Sequence, residues 1–174
     1  MIFEPLTVTK AFLVKPAPLE DDRGFFARTW CAREFAEHGL EPSLSQCSIS
    51  YNKGRGTLRG LHYQAQPHAE AKVVRCTRGA IFDVIVDLRP ASPTYLDHCT
   101  ATLTADNRDA VYVPRGCAHG FLTLQDESEV LYQMSTDHAP GAASGVRWDD
   151  PAFGIAWPAA PDIISDRDRT WPLL

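Results

Sequence analysis

From Ser45 to Ser135 the chain alternates short apolar runs with turn residues at nearly regular intervals. The runs Ser45–Tyr51, Leu58–Gln64, Lys72–Thr77, Ala80–Leu88, Cys99–Thr104, Ala110–Val113, Gly120–Leu124 and Glu129–Ser135 all read as strands. Between them lie Asn52–Gly56, Arg78–Gly79, Pro90–Pro93, Asp106–Asp109, Pro114–Gly116 and Gln125–Ser128, whose Gly, Pro, Asn and Asp residues supply turns. Residues 5–15, with Leu6, Val8, Phe12 and Val14 at even spacing, predict one more extended segment. Ala32–His38 is the best helix candidate, stopped by Gly39. Many short strands and little helix predict an all-β fold, a jelly-roll sandwich or barrel with a few short helices. After Pro140 the texture changes to Trp148, Pro151, Trp157 and Pro158, which predicts a covering tail rather than a second unit. The expectation is a single domain spanning residues 1–174.

Thr57–Gln64 is unusual among these runs because it carries a guanidinium, an imidazole, a phenol and an amide on one strand. Strict alternation points Arg59, Leu61 and Tyr63 one way and Leu58, Gly60, His62 and Gln64 the other. A titratable face on a strand anchored by leucines is the floor of a pocket, or else a surface strand with scattered polar groups. In Ile81–Leu88 only Asp83 and Asp87 break the apolar run, and both fall on one face. Buried carboxylates need partners. Arg59, Lys72 and substrate groups are candidates, and turn capping is the simpler role for Asp87.

A net charge of −5 and a pI near 5.6 argue against a broad nucleic-acid or anionic-membrane surface, while leaving room for a local basic pocket. The five cysteines are odd in number, widely spaced and free of any CxxC pair. That excludes a disulfide framework, fits a reducing, cytoplasmic setting, and makes small buried hydrophobes of them. No signal peptide or membrane-length apolar run is expected.

His62, His119 and His138 are the histidines best placed for chemistry. A jelly roll with scattered histidines first suggests a metal cupin, but such sites need His-x-His and a nearby carboxylate. No His-x-His occurs here, so no metal and no cofactor are expected. Metal-free proton transfer is the other chemistry open to these residues. Histidine is the usual base near neutrality, Tyr132 could serve as acid, and Lys72 or Arg59 could stabilise an enolate oxygen. Taken singly, Tyr132 is a core aromatic and Lys72 a solvated strand end.

A longer set of motifs runs through nearly the whole chain. It comprises Asp22–Phe26, Gln46–Ser50, Gly56–Gln64, Lys72–Val74, Asp83–Arg89, Pro114–Phe121, Val130–Tyr132, Trp148–Pro151, Ile155–Pro158 and Ser165–Asp168. In this order they resemble the dTDP-4-dehydrorhamnose 3,5-epimerase family of the cupin superfamily. The resemblance implies a metal-independent epimerase of a nucleotide-linked 4-keto-6-deoxyhexose. It implies His62 as the base, Asp168 as its carboxylate partner, Tyr132 as the acid and Lys72 as the enolate-steadying cation. Arg23, Phe26, Arg28, Gln46, Ser48, Arg59 and His119 then correspond to phosphate, nucleoside or sugar contacts, and the assembly to a homodimer.

Three positions depart from that family's pattern. Arg28 stands where an acidic residue is usual, Ser48 where asparagine is, and His138 where a second tyrosine follows the acid. The first two put the nucleoside preference in question. His138 raises restriction to one centre, C3 or C5, against a tolerated aromatic swap. A non-catalytic sugar-nucleotide-binding cupin and a metal-dependent cupin oxygenase or isomerase are the competing readings. The first has no use for His62, Asp168, Tyr132 and Lys72 together.

Overall fold

Hydrogen bonding gathers the apolar runs into two main sheets in a computed structural model that describes residues 1–174. The N-terminal elements are β1 (Ile2–Pro5), β2 (Phe12–Lys15), β3 (Leu19–Asp21), β4 (Gly24–Phe26), α1 (Ala32–Glu37), β5 (Gln46–Asn52) and β6 (Thr57–Gln64). The middle of the chain gives β7 (Lys72–Arg78), β8 (Ala80–Asp87), β9 (His98–Thr104), β10 (Ala110–Val113), β11 (Cys117–Thr123) and β12 (Ser128–Met134). The tail adds β13 (Ala143–Gly145), β14 (Ile163–Ile164) and α2 (Asp166–Arg169). One sheet runs β1-β2-β10-β7-β12-β5; the other runs β13-β6-β11-β8-β9, with β14 added parallel to β6. This is the expected all-β jelly roll.

The core lies between the two sheets because alternate residues of strands from both point into it. Val74 and Cys76 of β7, Ile81 and Ile85 of β8, Leu103 of β9, Val111 and Val113 of β10, Phe121 of β11 and Val130 of β12 form one buried cluster. A second cluster, including Leu61, Val84, Val86, Ala118, Val146 and Phe153, packs the tail against the outer face of the β6–β11–β8 sheet. The tail is therefore a covering layer, as expected, but it also pairs as strand: β13 lies antiparallel to β6 and β14 parallel to it.

Other expectations need correction. Residues 5–15 are not one strand. β1 and β2 form an antiparallel hairpin whose connecting turn holds Lys10 at φ 66°, while Val8 and Ala11 plug the core. β11 starts at Cys117, so His119 lies within a strand, not ahead of one. Cys76, Cys99 and Cys117 are buried, but Cys47 is exposed on the outer side of edge strand β5. The helix α1 matches its expected span within one residue, and Gly39 at φ +67° ends it.

Candidate active site

The alternation predicted for β6 fails at the residues that matter most. On β11 two positions, His119 and Phe121, face His62 and Arg59, which are three positions apart on β6. The extra residue is a β-bulge, and it reverses the side-chain parity along the strand. Arg59 and His62 therefore line the same cavity, of about 460 Å³, together with Ile164, Arg167 and Asp168. Leu61 turns outward into the cluster beneath the tail. Gly60, at φ +136°, makes the bulge possible: a Cβ there would lie 2.6 Å from the Cα of Gly120.

The tail supplies the partner of His62. β14 runs beside Thr57 and Leu58, and Ser165 then caps α2 by accepting the Asp168 N–H at 3.1 Å. The Ser-x-x-Asp spacing thus aims Asp168 back at β6. Its Oδ1 lies 2.5 Å from His62 Nε2, and its Oδ2 accepts the Gly60 N–H at 3.2 Å. Trp171 Nε1 donates to Oδ1 at 3.4 Å, its ring standing edge-on to His62 at 6.5 Å. Burial alone raises the Asp168 carboxyl, but the hydrogen bond and charge of His62, with the donors Gly60 and Trp171, hold it below its ordinary value. Asp168 is buried, whereas the His62 side chain is 40% exposed, so the imidazole opens to the cavity while its partner stays dry.

Arg59 donates its Nε–H to Asn52 Oδ1 at 2.7 Å and Nη2–H to the Tyr51 carbonyl at 3.5 Å, at the exposed end of the cavity. On the facing sheet, Tyr132 packs against the core cluster and meets the His119 ring edge-on at 6.1 Å. Burial pushes its phenol well above the usual range, with the Ser50 hydroxyl opposing. His119 and His62 are register partners on β11 and β6, so both rings belong to the interior side. Lys72 shares the interior parity of Val74 on β7, and its Nζ pairs with Glu70 Oε1 at 2.9 Å. Glu70 in turn accepts from Gln64 Nε2 at 3.1 Å, which ties the end of β6 to the Lys72 loop. Gln46 and Ser48 stand opposite Met134 and Tyr132 at the open edge of the sheet.

Of the proposed site residues only Arg59, His62 and Asp168 line this cavity; Tyr132, Lys72, His119, Gln46 and Ser48 do not, and neither do the remaining contacts. Arg23 and Phe26 lie exposed on the β3–β4 hairpin, where Arg23 pairs with Asp21. Arg28 pairs with Glu34 Oε1 at 2.9 Å, so a carboxylate does sit beside this position, carried by α1. His138 has an exposed side chain, and its N–H donates to Gln46 Oε1 at 2.9 Å. Neither Arg59 nor Lys72 pairs with the two buried carboxylates, while the turn-capping role offered for Asp87 holds. Asp83 takes His119, and Asp87 takes Arg89, Ser92 and Thr94. Asn52, Glu70, Arg167 and Trp171 went unassigned in the sequence. Only Arg167, inside the Ser165–Asp168 motif, carried a local signal.

No three His, Cys, Asp or Glu side chains converge as a metal-ligand group. A separate hollow of about 360 Å³ beside Trp148 and Trp157 holds only satisfied acids: Asp149 pairs with Arg147, and Asp150 accepts two backbone N–H groups. The chemistry is concentrated beside β6.

Comparison with known proteins decides the lineage. The family model described as dTDP-4-dehydrorhamnose 3,5-epimerase matches residues 5–174. The chain belongs to the dTDP-4-dehydrorhamnose 3,5-epimerase family. A family member from Sinorhizobium fredii is 38% identical over all of this chain and 90% of its own length. The Bacillus anthracis epimerase, crystallised with TDP and PPi bound, superposes with a TM-score of 0.90 at 40% identity, covering 98% of this chain and 100% of that one. A 3'-monoepimerase from Streptomyces bikiniensis in complex with dTDP-quinovose gives a TM-score of 0.88 at 34% identity, covering 98% and 86%. This member of the epimerase family is accordingly an isomerase-class enzyme of the dTDP-sugar epimerase type. No helix is long and apolar enough to cross a membrane.

Proposed function

We propose that the enzyme inverts C3, C5 or both in a dTDP-linked 4-keto-6-deoxyhexose by proton transfer between two groups on opposite sides of the sugar. The observation that carries this reading is the His62–Asp168 pair at 2.5 Å, half open to a cavity that it shares with Arg59. Donation of His62 Nε2–H to the ionised carboxylate leaves the ring lone pair on Nδ1, the atom that removes a proton α to the C4 ketone. The electron pair moves onto the C4 oxygen as an enolate, steadied by the Lys72 ammonium. The Tyr132 hydroxyl returns a proton to the carbon from the other face, and the configuration inverts. A phenol held neutral by burial is a competent acid at this step. Arg59 and His119 contact the anionic diphosphate, and Gln46 and Ser48 contact the nucleoside.

Arg23, Phe26 and Arg28 serve the site of a second copy in a homodimer. The exposure of Arg23 and Phe26 on a hairpin that also shows Leu19 and Phe25 to solvent, with Arg28 exposed just beyond it, supports that assembly. Each chain acts as one catalytic unit in the cytoplasm, a setting consistent with its five free cysteines. His138 in place of a tyrosine, together with the likeness to a 3'-monoepimerase, favours a second reading in which one centre exchanges much faster than the other.

Proton NMR in deuterated water tests both readings, using dTDP-, UDP-, GDP- and CDP-linked 4-keto-6-deoxy sugars. Loss of the C3 or C5 proton signal with the dTDP sugar is expected, unaffected by a metal chelator. Absence of exchange with every sugar would leave a binding protein in place of an enzyme.

A further inference from the structure

A second carboxylate–imidazole pair lies deeper than the first. Asp83 Oδ2 is 2.8 Å from His119 Nε2, and the side chains are only 1% and 3% exposed. Asp83 Oδ1 is fully buried with no hydrogen-bond partner, a state that costs an ionised carboxylate dearly and calls for an explanation. His119 Nδ1 has no hydrogen-bond partner either, and the ring lies on the same side of the sheet as its register partner His62.

The protonation states differ in what they present at that nitrogen. With ionised Asp83 and neutral His119, Nε2–H donates inward and Nδ1 is an acceptor, which repels an anion. When the pair holds one more proton, Nδ1 carries a hydrogen, whether the extra charge resides on the imidazolium or the carboxyl stays neutral and donates to Nε2. The pair then offers a donor.

We propose that Asp83 and His119 form a proton-binding dyad that takes up one proton as the enzyme binds its sugar nucleotide, turning Nδ1 into a donor to the diphosphate. The inference rests on the diphosphate contact assigned to His119 above, and it makes Asp83 a positioning residue acting through His119. The groups facing the pair are His62 and Arg59 on β6, Tyr132 on β12, Cys76 on β7 and Cys99 on β9. Arg59 is the only fixed cation among them, so the anion brings the charge that favours protonation. Burial raises the Asp83 carboxyl, in the direction that keeps a proton within the pair, while the charge of His119 lowers it.

Titration calorimetry of the intact enzyme with dTDP-glucose is the test, because that diphosphate diester does not itself titrate near neutrality. Binding is measured at one slightly alkaline pH in buffers of different ionisation enthalpy. Wild-type enzyme should take up close to one proton per site. Asp83→Asn should abolish the uptake and weaken binding roughly 10- to 100-fold, the worth of a charge-assisted hydrogen bond. Uptake that persists in Asp83→Asn would assign the proton elsewhere, His62 included, and overturn the proposal, as would absence of uptake in wild type. Should Asp83→Asn not fold, nitrogen NMR of the wild-type histidines decides: both His119 ring nitrogens, or Nδ1 alone, must be protonated in the complex. An unprotonated Nδ1 there overturns it. The proton-exchange experiment on 4-keto sugars is independent of these results, so either reading can fail alone.

Discussion

Oδ1 of Asp168 lies 2.5 Å from Nε2 of His62, although 106 residues separate them in the chain. Three local devices close that gap: parallel pairing of Ile163 and Ile164 with Thr57 and Leu58, the Ser165 cap, and the Gly60 N–H on the second carboxylate oxygen. The carboxylate is thereby fixed before the imidazole meets it, and His62 needs no reorganisation to reach its basic state.

His62→Ala should lower kcat by about 10²- to 10⁴-fold, the usual worth of a positioned proton-transfer group, with circular dichroism unchanged. Trp171→Phe removes one donor from Asp168. The carboxyl pKa then rises toward its ordinary value, and the acid limb of the kcat–pH profile should move to higher pH. An unmoved acid limb would show that Trp171 does not hold the carboxylate.

Tyr132→Phe should separate exchange from inversion. With His62 intact the α-proton still leaves, and a deuteron returns to the same face from the imidazole. Deuterium incorporation by NMR should therefore continue while formation of the inverted sugar falls by about 10²-fold or more. Equal loss of both processes would remove Tyr132 from the acid role. Because burial raises its phenol far above neutrality, loss of activity at moderately alkaline pH in wild type must come from another group.

The two-sheet fold was legible because period-two patterning and turn chemistry reinforce each other from Gln46 to Met134. The residues alone allowed metal-free proton transfer, but the pairing of His62 with Asp168 was legible only by family resemblance. His62 and Asp168 meet through a tail whose strand, Ile163–Ile164, is too short to have a pattern of its own. Alternation placed Arg59 and His62 on opposite faces because a bulge leaves no periodic trace except its glycine. Asp83 was visible as a buried carboxylate needing a partner. Which cation or imidazole answers it depends on register between β8 and β11, which composition does not encode.

Asp87 makes a prediction about stability alone. Burial would raise its carboxyl, but Arg89, Ser92 and Thr94 together hold it down to about 2 from an unperturbed 3.8. A depressed native pKa stabilises fully above the unfolded value and is lost as pH falls through the native one. The contribution, about 2 kcal/mol, should thus be present above about pH 4 and disappear toward pH 2. Asp87→Asn should lower the urea midpoint at pH 7 and flatten the stability loss between those limits. A variant whose acid unfolding profile still parallels wild type would refute this.

Gly60 tests whether the bulge governs the site. Gly60 and Gly24 both adopt φ values that side chains avoid, +136° and +127°. They differ in surroundings: a Cβ at Gly24 meets nothing within 4 Å, whereas one at Gly60 meets the Gly120 backbone at 2.6 Å. Gly24→Ala should cost only the backbone strain, about 1–2 kcal/mol. Gly60→Ala adds an overlap with the Gly120 backbone that only a shift of the strand backbone can relieve, for a total of about 3 kcal/mol or more. Relief would come from straightening the bulge, which turns Arg59 away from His62 and restores plain alternation. Gly60→Ala should therefore lose both denaturant stability and kcat, while Gly24→Ala keeps its own chain's His62–Asp168 geometry. Equal stability losses in the two variants would mean that the β6–β11 contact yields easily and that the bulge does not fix the site.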